Sequence, residues 1–252
     1  MHNSHNDAFA KVPAITLGFW LIKILVTTLG ETGGDSVSMS LGLGYLASSG
    51  LFVAVFALLL WQHIASTGFR PFLYWATLIA STTLGTTLSD FATRSLGLGY
   101  AGGSLLLAVL VVMALVTWQR CLGRINVASV KGPAAEGFYW LSITFSQTLG
   151  TALGDWTADG AGIGYEGGIA IFGGALLLVV ALRFASRFSP PLLFWLAFVL
   201  TRPLGAVVGD FLDKPVDDGG LALSRFAATG SLLIAVLLLI TFLPQRPAKT
   251  PH

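Results

Sequence analysis

Residues 20–35 read WLIKILVTTLGETGGD, and segments of the same form return at 75–90, 140–155 and 195–210. Each segment begins with tryptophan, has a glycine ten residues later and ends in an aspartate five residues after that glycine. The four aspartates are Asp35, Asp90, Asp155 and Asp210. Each segment lies in an otherwise apolar stretch, and about 20 apolar residues suffice to cross a bilayer. The repeat therefore predicts four membrane helices that each carry an acid.

The composition is typical of an integral membrane protein. Hydrophobic residues make up 54% of the chain and charged residues only 10%, which excludes an ordinary soluble domain. A single cysteine, Cys121, excludes an internal disulfide and a cysteine-based zinc site. The first residues lack the pattern of a removable signal peptide. We therefore expect the membrane helices themselves to direct insertion.

A second apolar stretch follows each motif, so every repeat has two predicted spans. The motif stretches cover about 13–36, 71–93, 136–158 and 190–212, and the second stretches about 45–66, 99–119, 164–185 and 226–243. This pattern predicts an all-α integral membrane protein with eight transmembrane helices, forming a single transmembrane domain over 1–252. Its four tandem two-helix repeats cover approximately 13–66, 71–120, 136–187 and 190–243.

The spacing of the repeats indicates an internal duplication. The motif tryptophans are 55, 65 and 55 residues apart. The chain therefore divides into two pseudo-symmetric halves, and parallel repeats of this kind are related by an axis along the membrane normal.

Positive charges are concentrated at one end of the predicted helices. The segments at the end with the termini contain Lys11, Arg70, Arg120, Arg124, Lys131, Arg183, Arg187, Arg246 and Lys249. The opposite end has only Arg94, Lys214 and Arg225. By the positive-inside rule we expect both termini to be cytoplasmic. The four aspartates then lie toward the outer face.

A polar stripe runs along each motif helix, because residues four apart share one helix face. In the first repeat the stripe is Thr27, Glu31 and Asp35. The corresponding residues are Thr82, Thr86 and Asp90, then Gln147, Thr151 and Asp155, then Arg202, Ala206 and Asp210. Polar groups at membrane depth must face a bundle interior or a wet cavity. We expect the motif helices to enclose a polar interior and the second helices to form an outer, lipid-facing ring.

Other features of the motif helices predict packing and charge pairing. Small residues four apart, such as Gly30 and Gly34, indicate close helix packing. The pairs Phe19-Trp20, Tyr74-Trp75, Tyr139-Trp140 and Phe194-Trp195 predict an aromatic belt at the cytoplasmic interface. Lys23 and Arg202 are cations within the predicted spans. We expect them to pair across the bundle with the acids, the alternative for Lys23 being to extend toward the cytoplasmic interface.

The fourfold repeat of a tryptophan followed by an L-G-x-x-x-G-D segment resembles a bacterial family of membrane-anchored proteins. That family is built from a repeat of unknown function, and the resemblance covers nearly the whole chain. It implies an eight-helix inner-membrane protein and supplies no activity. The segment from Glu31 to Asp35 is also similar to the E-x-G-D motifs of manganese and calcium exchangers. Here one extra residue separates the glutamate from Gly-Asp, and the other three repeats lack the glutamate.

Acids at one fixed place in four hydrophobic helices point to a positively charged substrate, since intramembrane acids are costly and mark ion pathways. Each aspartate lies near the C-terminal end of its predicted helix, where the helix dipole disfavours an anion. Carboxylate, hydroxyl and carbonyl oxygens suit hard ions such as manganese, magnesium or calcium. We therefore expect a divalent-cation transporter, manganese-like in its ligands, that exports the metal in exchange for protons.

The residues expected to do this fall into three groups. Metal ligands or proton acceptors would be Asp35, Asp90, Asp155, Asp210 and Glu31. Neutral oxygens would come from Thr86, Thr151 and Gln147, and Lys23 and Arg202 would occupy the carboxylates when the ion leaves. The metal is expected as substrate and no cofactor is expected. The expected partners are the lipid bilayer, the cation and protons, without nucleic acid, and a homo-oligomer stays open.

Two other classes of function stay open from the sequence. In a binding or structural membrane protein, the aspartates would make turns or fix the helix register. An intramembrane aspartyl hydrolase would need two poised carboxylates and an attacking water. Four near-equivalent aspartates and the lack of a Gly-x-Gly-Asp motif disfavour that class, so we expect no enzymatic activity.

Overall fold

The protein is built from helices, which a computed structural model describes over residues 11–123, 132–185 and 188–248. In this described part the helices are α1 (Leu17–Asp35), α2 (Gly44–Ala65), α3 (Pro71–Asp90), α4 (Gly99–Leu122), α5 (Pro133–Asp155), α6 (Gly164–Ala185), α7 (Pro190–Asp213) and α8 (Arg225–Phe242). The only extended pairing within these ranges is a bridge between Pro13 and Pro247. The all-α prediction is confirmed, and the helices lie close to the predicted apolar stretches.

Local sequence sets the helix boundaries. α3, α5 and α7 each begin with proline, which suits the first helical turn because that turn needs no backbone N–H partner. α1 begins after Thr16, whose Oγ1 accepts a hydrogen bond from the backbone N–H of Phe19 at 3.1 Å. α4 is terminated by the following Gly123, whose φ of 76° is the left-handed conformation that favours glycine.

The odd-numbered helices form a closed ring in the order α1, α3, α5, α7, with α7 packing back on α1. The even-numbered helices pack outside this ring: α2 on α3, α4 on α5, α6 on α7 and α8 on α1. Each repeat thus covers the motif helix of the next repeat, and the last repeat covers the first. The arrangement places the four polar stripes together inside the ring.

Small residues make the ring tight. A Cβ added to Gly30 would lie 2.5 Å from Thr82 Oγ1, and one added to Gly150 would lie 2.6 Å from Arg202 Cγ. Gly205 faces Thr27 in the same way across the α7–α1 interface. In each case the glycine faces a residue of the neighbouring helix that lies three positions before that helix's own motif glycine. The motif helices are therefore parallel and in one common register, with the close packing that small residues permit.

The prediction of an interfacial tryptophan belt is wrong for Trp75 and Trp140, which are fully buried. Each motif tryptophan packs on the aromatic residue of the preceding repeat. The ring centroids are 5.6 Å apart for Trp75 and Phe19, and 5.8 Å apart for Trp140 and Tyr74. The aromatic pairs therefore close one end of the ring by packing between helices.

Within the described ranges, five helices are long and apolar enough to cross a membrane: α2, α4, α6, α8 and the Leu192–Asp213 part of α7. On the four outer helices the apolar side chains are largely exposed, as Leu58, Leu105 and Leu177 illustrate. α1, α3 and α5 have lower hydropathy because they carry the polar stripes. An apolar surface of this extent is characteristic of a membrane protein.

The segments after the aspartates differ in the last repeat. Asp35, Asp90 and Asp155 end their α-helices, and each is followed by one wider π-helical turn: Ser36–Ser40, Phe91–Ser95 and Trp156–Gly160. α7 instead continues past Asp210 to Asp213, and a short 3-10 turn follows at Val216–Asp218. The fourth repeat thereby places Asp213 and Lys214 beside the aspartates.

Candidate cation site

Corresponding stripe residues meet across the ring in layers that are one helical turn apart. The arginine layer contains Thr27, Thr82, Gln147 and Arg202. The glutamate layer contains Glu31, Thr86, Thr151 and Ala206, and the aspartate layer contains Asp35, Asp90, Asp155 and Asp210. All twelve residues are at most 3% exposed. The sequence correctly predicts that these stripes face the interior.

Arg202 links all four motif helices. Its Nε donates to the main-chain oxygen of Gln147 at 3.2 Å, its Nη1 to that of Thr27 at 3.0 Å and its Nη2 to that of Thr82 at 3.4 Å. The Nη2 group also lies 3.0 Å from Glu31 Oε2. Arg202 therefore pairs with an acid across the bundle, and every nitrogen of its guanidinium has a partner.

The hydroxyls of the glutamate layer surround the same ion pair. Arg202 Nη2 donates to Thr86 Oγ1 at 2.7 Å and also to Thr151 Oγ1. Thr86 lies close to Glu31 as well, with 3.3 Å between Thr86 Oγ1 and Glu31 Oε2. The predicted neutral oxygens of Thr86 and Thr151 are thus at the axis beside Glu31.

Two cations bridge the aspartate layer in a twofold pattern. Lys214 Nζ lies 2.9 Å from Asp210 Oδ1, on its own repeat, and 2.7 Å from Asp35 Oδ2. Arg94 Nε lies 3.0 Å from Asp90 Oδ1, again on its own repeat, and Arg94 Nη2 lies 3.7 Å from Asp155 Oδ2. Both cations follow their own aspartate by four residues, and both reach the aspartate of the next repeat around the ring.

The carboxylates nevertheless crowd together. One oxygen each from Glu31, Asp155 and Asp210 lie within 4.8 Å of one another, and the same holds for Asp35, Asp210 and Asp213. We call these five residues together with Asp90 the acid cluster. Asp35 Oδ1, Asp90 Oδ2 and Asp155 Oδ1 are buried without a hydrogen-bond partner in the described structure. Such oxygens are costly to bury unless a cation or a proton satisfies them.

The aspartates do not act as helix caps. Asp35, Asp90 and Asp155 each precede a π-helical turn, and none of their carboxylates accepts a capping hydrogen bond from a backbone N–H of that turn. A capping role would require such a bond. The turn-forming alternative therefore finds no support in the geometry of these three residues.

Lys214 lies just beyond the end of α7, and neighbouring carboxylates stabilise its positive charge. Burial by itself disfavours the ammonium form, but the carboxylates of Asp210, Asp35 and Asp213 outweigh burial and raise the pKa of Lys214 above its ordinary value. The Lys214 side chain is accordingly protonated at physiological pH.

The predicted pairing of Lys23 with the acids is wrong, because no carboxylate of the described residues contacts it. It is fully buried, and its Nζ has no hydrogen-bond partner within the residues described. The Nζ atom lies 4.2 Å from the centre of the Phe198 ring, a cation–π distance. Lys23 occupies an apolar layer with Leu78, Ile143 and Phe198, one turn from the arginine layer on the side of the termini.

Gln147 takes part through its main chain rather than its side chain. Its carbonyl oxygen accepts from Arg202, whereas its side-chain Nε2 donates to Ser81 Oγ at 3.0 Å. Sequence reasoning placed Arg94 and Lys214 only at the outer end of the helices, and it gave neither these two residues nor Asp213 a role in the site. The i+4 spacing of Arg94 and Lys214 from their aspartates was the available signal. Their bridges to the next repeat required the ring to be known.

Comparison with protein families identifies the repeat. A family described as Repeat of Unknown Function (DUF347) matches the chain over residues 18–68, 73–121, 138–189 and 193–246. The four matches coincide with the four helix pairs and cover most of the chain. No curated protein and no solved structure matches the chain. The resemblance seen in the fourfold motif is confirmed.

Proposed function

We propose that this chain, which belongs to that repeat family, is a membrane transporter of a divalent metal cation. The cation would be a hard ion such as manganese, and the transport would be proton-coupled export. The observation that carries the proposal is the set of buried carboxylate oxygens of Glu31, Asp155 and Asp210, all within 4.8 Å of one another. Oxygens so close together can bind one ion in common, and carboxylates are ligands that hard divalent cations prefer.

The charges of the site favour a divalent ion. The acid cluster has six carboxyl groups, and four basic side chains of the described residues contact it: Arg94, Arg202, Lys214 and Arg225. With every group ionised, six negative and four positive charges leave an excess of two negative charges. One divalent cation or two protons would neutralise that excess. This equivalence is a physical basis for exchanging a metal ion for protons.

Asp155 is the carboxylate with the weakest compensation. Its ion pair with Arg94 is 3.7 Å long, and its Oδ1 has no hydrogen-bond partner among the described residues. It is also one of the three residues whose oxygens converge near Glu31. Asp155 is therefore the residue whose change should weaken cation binding most directly.

The proposed path runs along the ring axis. The acid cluster lies near the end where Arg94 and Arg225 are partly exposed, with 30% and 25% of their side chains accessible. The opposite end is closed by the Lys23 layer and the packed aromatic pairs. A cation would thus reach the carboxylates from the Arg94 and Lys214 side in this state.

We place the chain in a bacterial inner membrane with eight spans and cytoplasmic termini. The polar stripes of α1, α3 and α5 lie inside the ring, where the outer helices shield them from lipid, so these helices can span as well. Described basic residues at the end with the termini are Lys11, Arg70, Arg120, Arg183 and Arg246. Arg124, Lys131, Arg187 and Lys249, which enter the same orientation argument, lie outside the described residues.

Manganese flux into proteoliposomes tests the proposal. Purified protein is reconstituted with a manganese-sensitive dye inside and with an imposed proton gradient. We expect flux from the wild-type protein and about a tenfold loss from Asp155→Asn, as for changes at metal ligands and their partners. Asp159→Asn is the matched control, because Asp159 is exposed on the next turn and accepts from the Tyr100 hydroxyl at 2.9 Å.

If the acids have only a structural role, the opposite results are expected. If the Arg94 and Lys214 bridges serve only to fix the helix register, neither flux nor binding will be found. Binding raises Tm with the concentration of metal by mass action, so it can be measured on purified protein. An absent flux together with a Tm that no divalent ion changes would reject transport and favour the structural alternative.

A further inference from the structure

The guanidinium of Arg202 occupies the ring axis and is bound by oxygens from the three other repeats. The main-chain carbonyls that accept from it belong to Thr27, Thr82 and Gln147. These residues hold, in their own repeats, the position that Arg202 holds in the fourth. The fourth repeat therefore contributes a cation, and the other three repeats contribute a symmetric set of main-chain oxygens that surround it.

The next layer completes the set. The hydroxyls of Thr86 and Thr151 and the carboxylate of Glu31 all contact the Nη2 group of Arg202. With the three carbonyls they make six oxygens around a side chain that is only 1% exposed. Carbonyl, hydroxyl and carboxylate oxygens, about six in number, are also what a hard cation needs in place of its hydration shell.

This set continues the path from the acid cluster. Glu31 belongs both to the converging carboxylates and to the oxygens around Arg202. Beyond Arg202 lies the buried layer of Leu78, Ile143, Phe198 and Lys23, which closes the axis. An ion that leaves the acid cluster along the axis meets the Arg202 guanidinium first.

We propose that Arg202 is a tethered cation that fills a second cation site, and that the transported divalent ion replaces its guanidinium among these six oxygens during passage. The inference rests on the transport function proposed above and adds a gating residue to it. A tethered cation competes with the free ion for the same oxygens, so the site opens only when the guanidinium withdraws. Its removal leaves the oxygens continuously available.

Manganese flux measured without a proton gradient tests the gate. We expect Arg202→Gln to raise this uncoupled flux about tenfold over the wild-type protein, because the competing cation is gone. Arg202→Lys retains a tethered cation and should stay close to the wild type. Arg183→Gln is the matched control, since Arg183 is exposed in the last turn of α6, at the end of the molecule opposite the acid cluster. Wild-type flux from Arg202→Gln, both with and without a gradient, would overturn the proposal.

A second variant covers a failure of Arg202→Gln to fold. Thr151→Val removes one of the six oxygens at nearly constant volume and should reduce coupled manganese flux several-fold, whereas undiminished flux overturns the proposal. If the wild-type protein itself moves no manganese, the transport function fails. The second site is then decided by Tm: stabilisation of Arg202→Gln by manganese, absent in Arg202→Lys, supports it, and its absence in both overturns it.

Discussion

Lys214 is one of the residues at which the buried charges of the first and last repeats meet. Its ammonium lies 2.7 Å from Asp35 on α1 and 2.9 Å from Asp210 on α7, and only 10% of its side chain is exposed. Removing one partner of a buried ion pair leaves the other charge uncompensated, which costs about 3–5 kcal/mol. The single lysine therefore contributes to closing the ring as well as to the charge of the site.

We predict that Lys214→Gln lowers the free energy of unfolding by about 3 kcal/mol. Arg94→Gln should cost less, because the Arg94 side chain is 30% exposed and one of its ion pairs is 3.7 Å long. Thermal unfolding of detergent-purified protein near neutral pH measures both effects. The double variant with Asp210→Asn should recover part of the loss, since it removes one stranded carboxylate. A Tm for Lys214→Gln equal to that of the wild type would contradict the bridge.

The raised pKa of Lys214 predicts how this contribution depends on pH. Its folded-state pKa exceeds the ordinary value of 10.5, so the stabilisation is complete below that value and is lost only as pH rises through the folded-state pKa. The stability difference between the wild type and Lys214→Gln should therefore not fall as pH rises from about 6 to about 9. A difference that fell by half across this range would refute the assignment.

At the scale of elements, the four helix interfaces of the ring share one device. Gly30, Gly85, Gly150 and Gly205 each face the neighbouring motif helix at the same height. At Gly205 an added Cβ would lie 2.6 Å from Thr27 Cβ and 2.8 Å from the Thr27 carbonyl carbon. At Gly33, on the same helix as Thr27, the nearest atom would be 3.8 Å away. Alanine substitutions at these two positions therefore distinguish the effect of close packing from the effect of helix propensity.

Gly205→Ala is predicted to destabilise the protein by about 1–3 kcal/mol, the usual cost of overpacking a tight interface. Gly33→Ala, with room for the methyl group, should be neutral or stabilising by up to about 1 kcal/mol. Thermal unfolding of the two variants side by side checks the contrast. Equal effects would show that the α7–α1 contact is looser than described.

The outer helices do not fill the grooves of the ring equally. Phe56 on α2 packs on Trp140, with ring centroids 6.3 Å apart. The corresponding residue on α4 is Val111, and beside it a cavity of about 380 Å³ borders Trp195, the counterpart of Trp140. The buried indole Nε1 of Trp195 has no hydrogen-bond partner within the described chain. The smaller side chain at 111 accounts for the space.

Val111→Phe should fill this cavity and raise the stability by about 0.5–2 kcal/mol, the common gain from cavity filling. Val112→Phe is the control, because Val112 is exposed on the outside of α4. Differential scanning of the purified variants distinguishes them. A loss of stability in Val111→Phe would mean that the groove cannot admit the ring.

Much of the scaffold was predictable from sequence because its signals are local. Prolines at 71, 133 and 190 begin helices, and the four-residue spacing of polar groups assigns the buried face. The charge pairing was harder to predict from the sequence. Lys23 and Arg202 look alike as intramembrane cations, yet only Arg202 meets a carboxylate, because Lys23 lies one turn farther along the axis in an apolar layer. The bridges of Arg94 and Lys214 depend on which repeats are neighbours in the ring.

At the scale of the whole molecule, the native Cys121 reports the orientation. It is exposed at the end of α4, on the same side of the molecule as the described termini. With cytoplasmic termini, a membrane-impermeant thiol reagent added to intact cells should leave Cys121 unmodified. Asp217→Cys in a Cys121→Ser background, at the exposed opposite end, should be labelled. The reverse pattern would invert the topology and with it the direction of export.

The most direct test of the cation site is an anomalous scattering map of the protein with bound manganese. We predict one manganese peak between Glu31, Asp155 and Asp210, whose oxygens already converge within 4.8 Å. Carboxylate oxygens should lie about 2.0–2.6 Å from the ion, the range for hard divalent cations. Saturating manganese that gave no peak inside the ring, with the acids still paired only with their basic neighbours, would contradict the account.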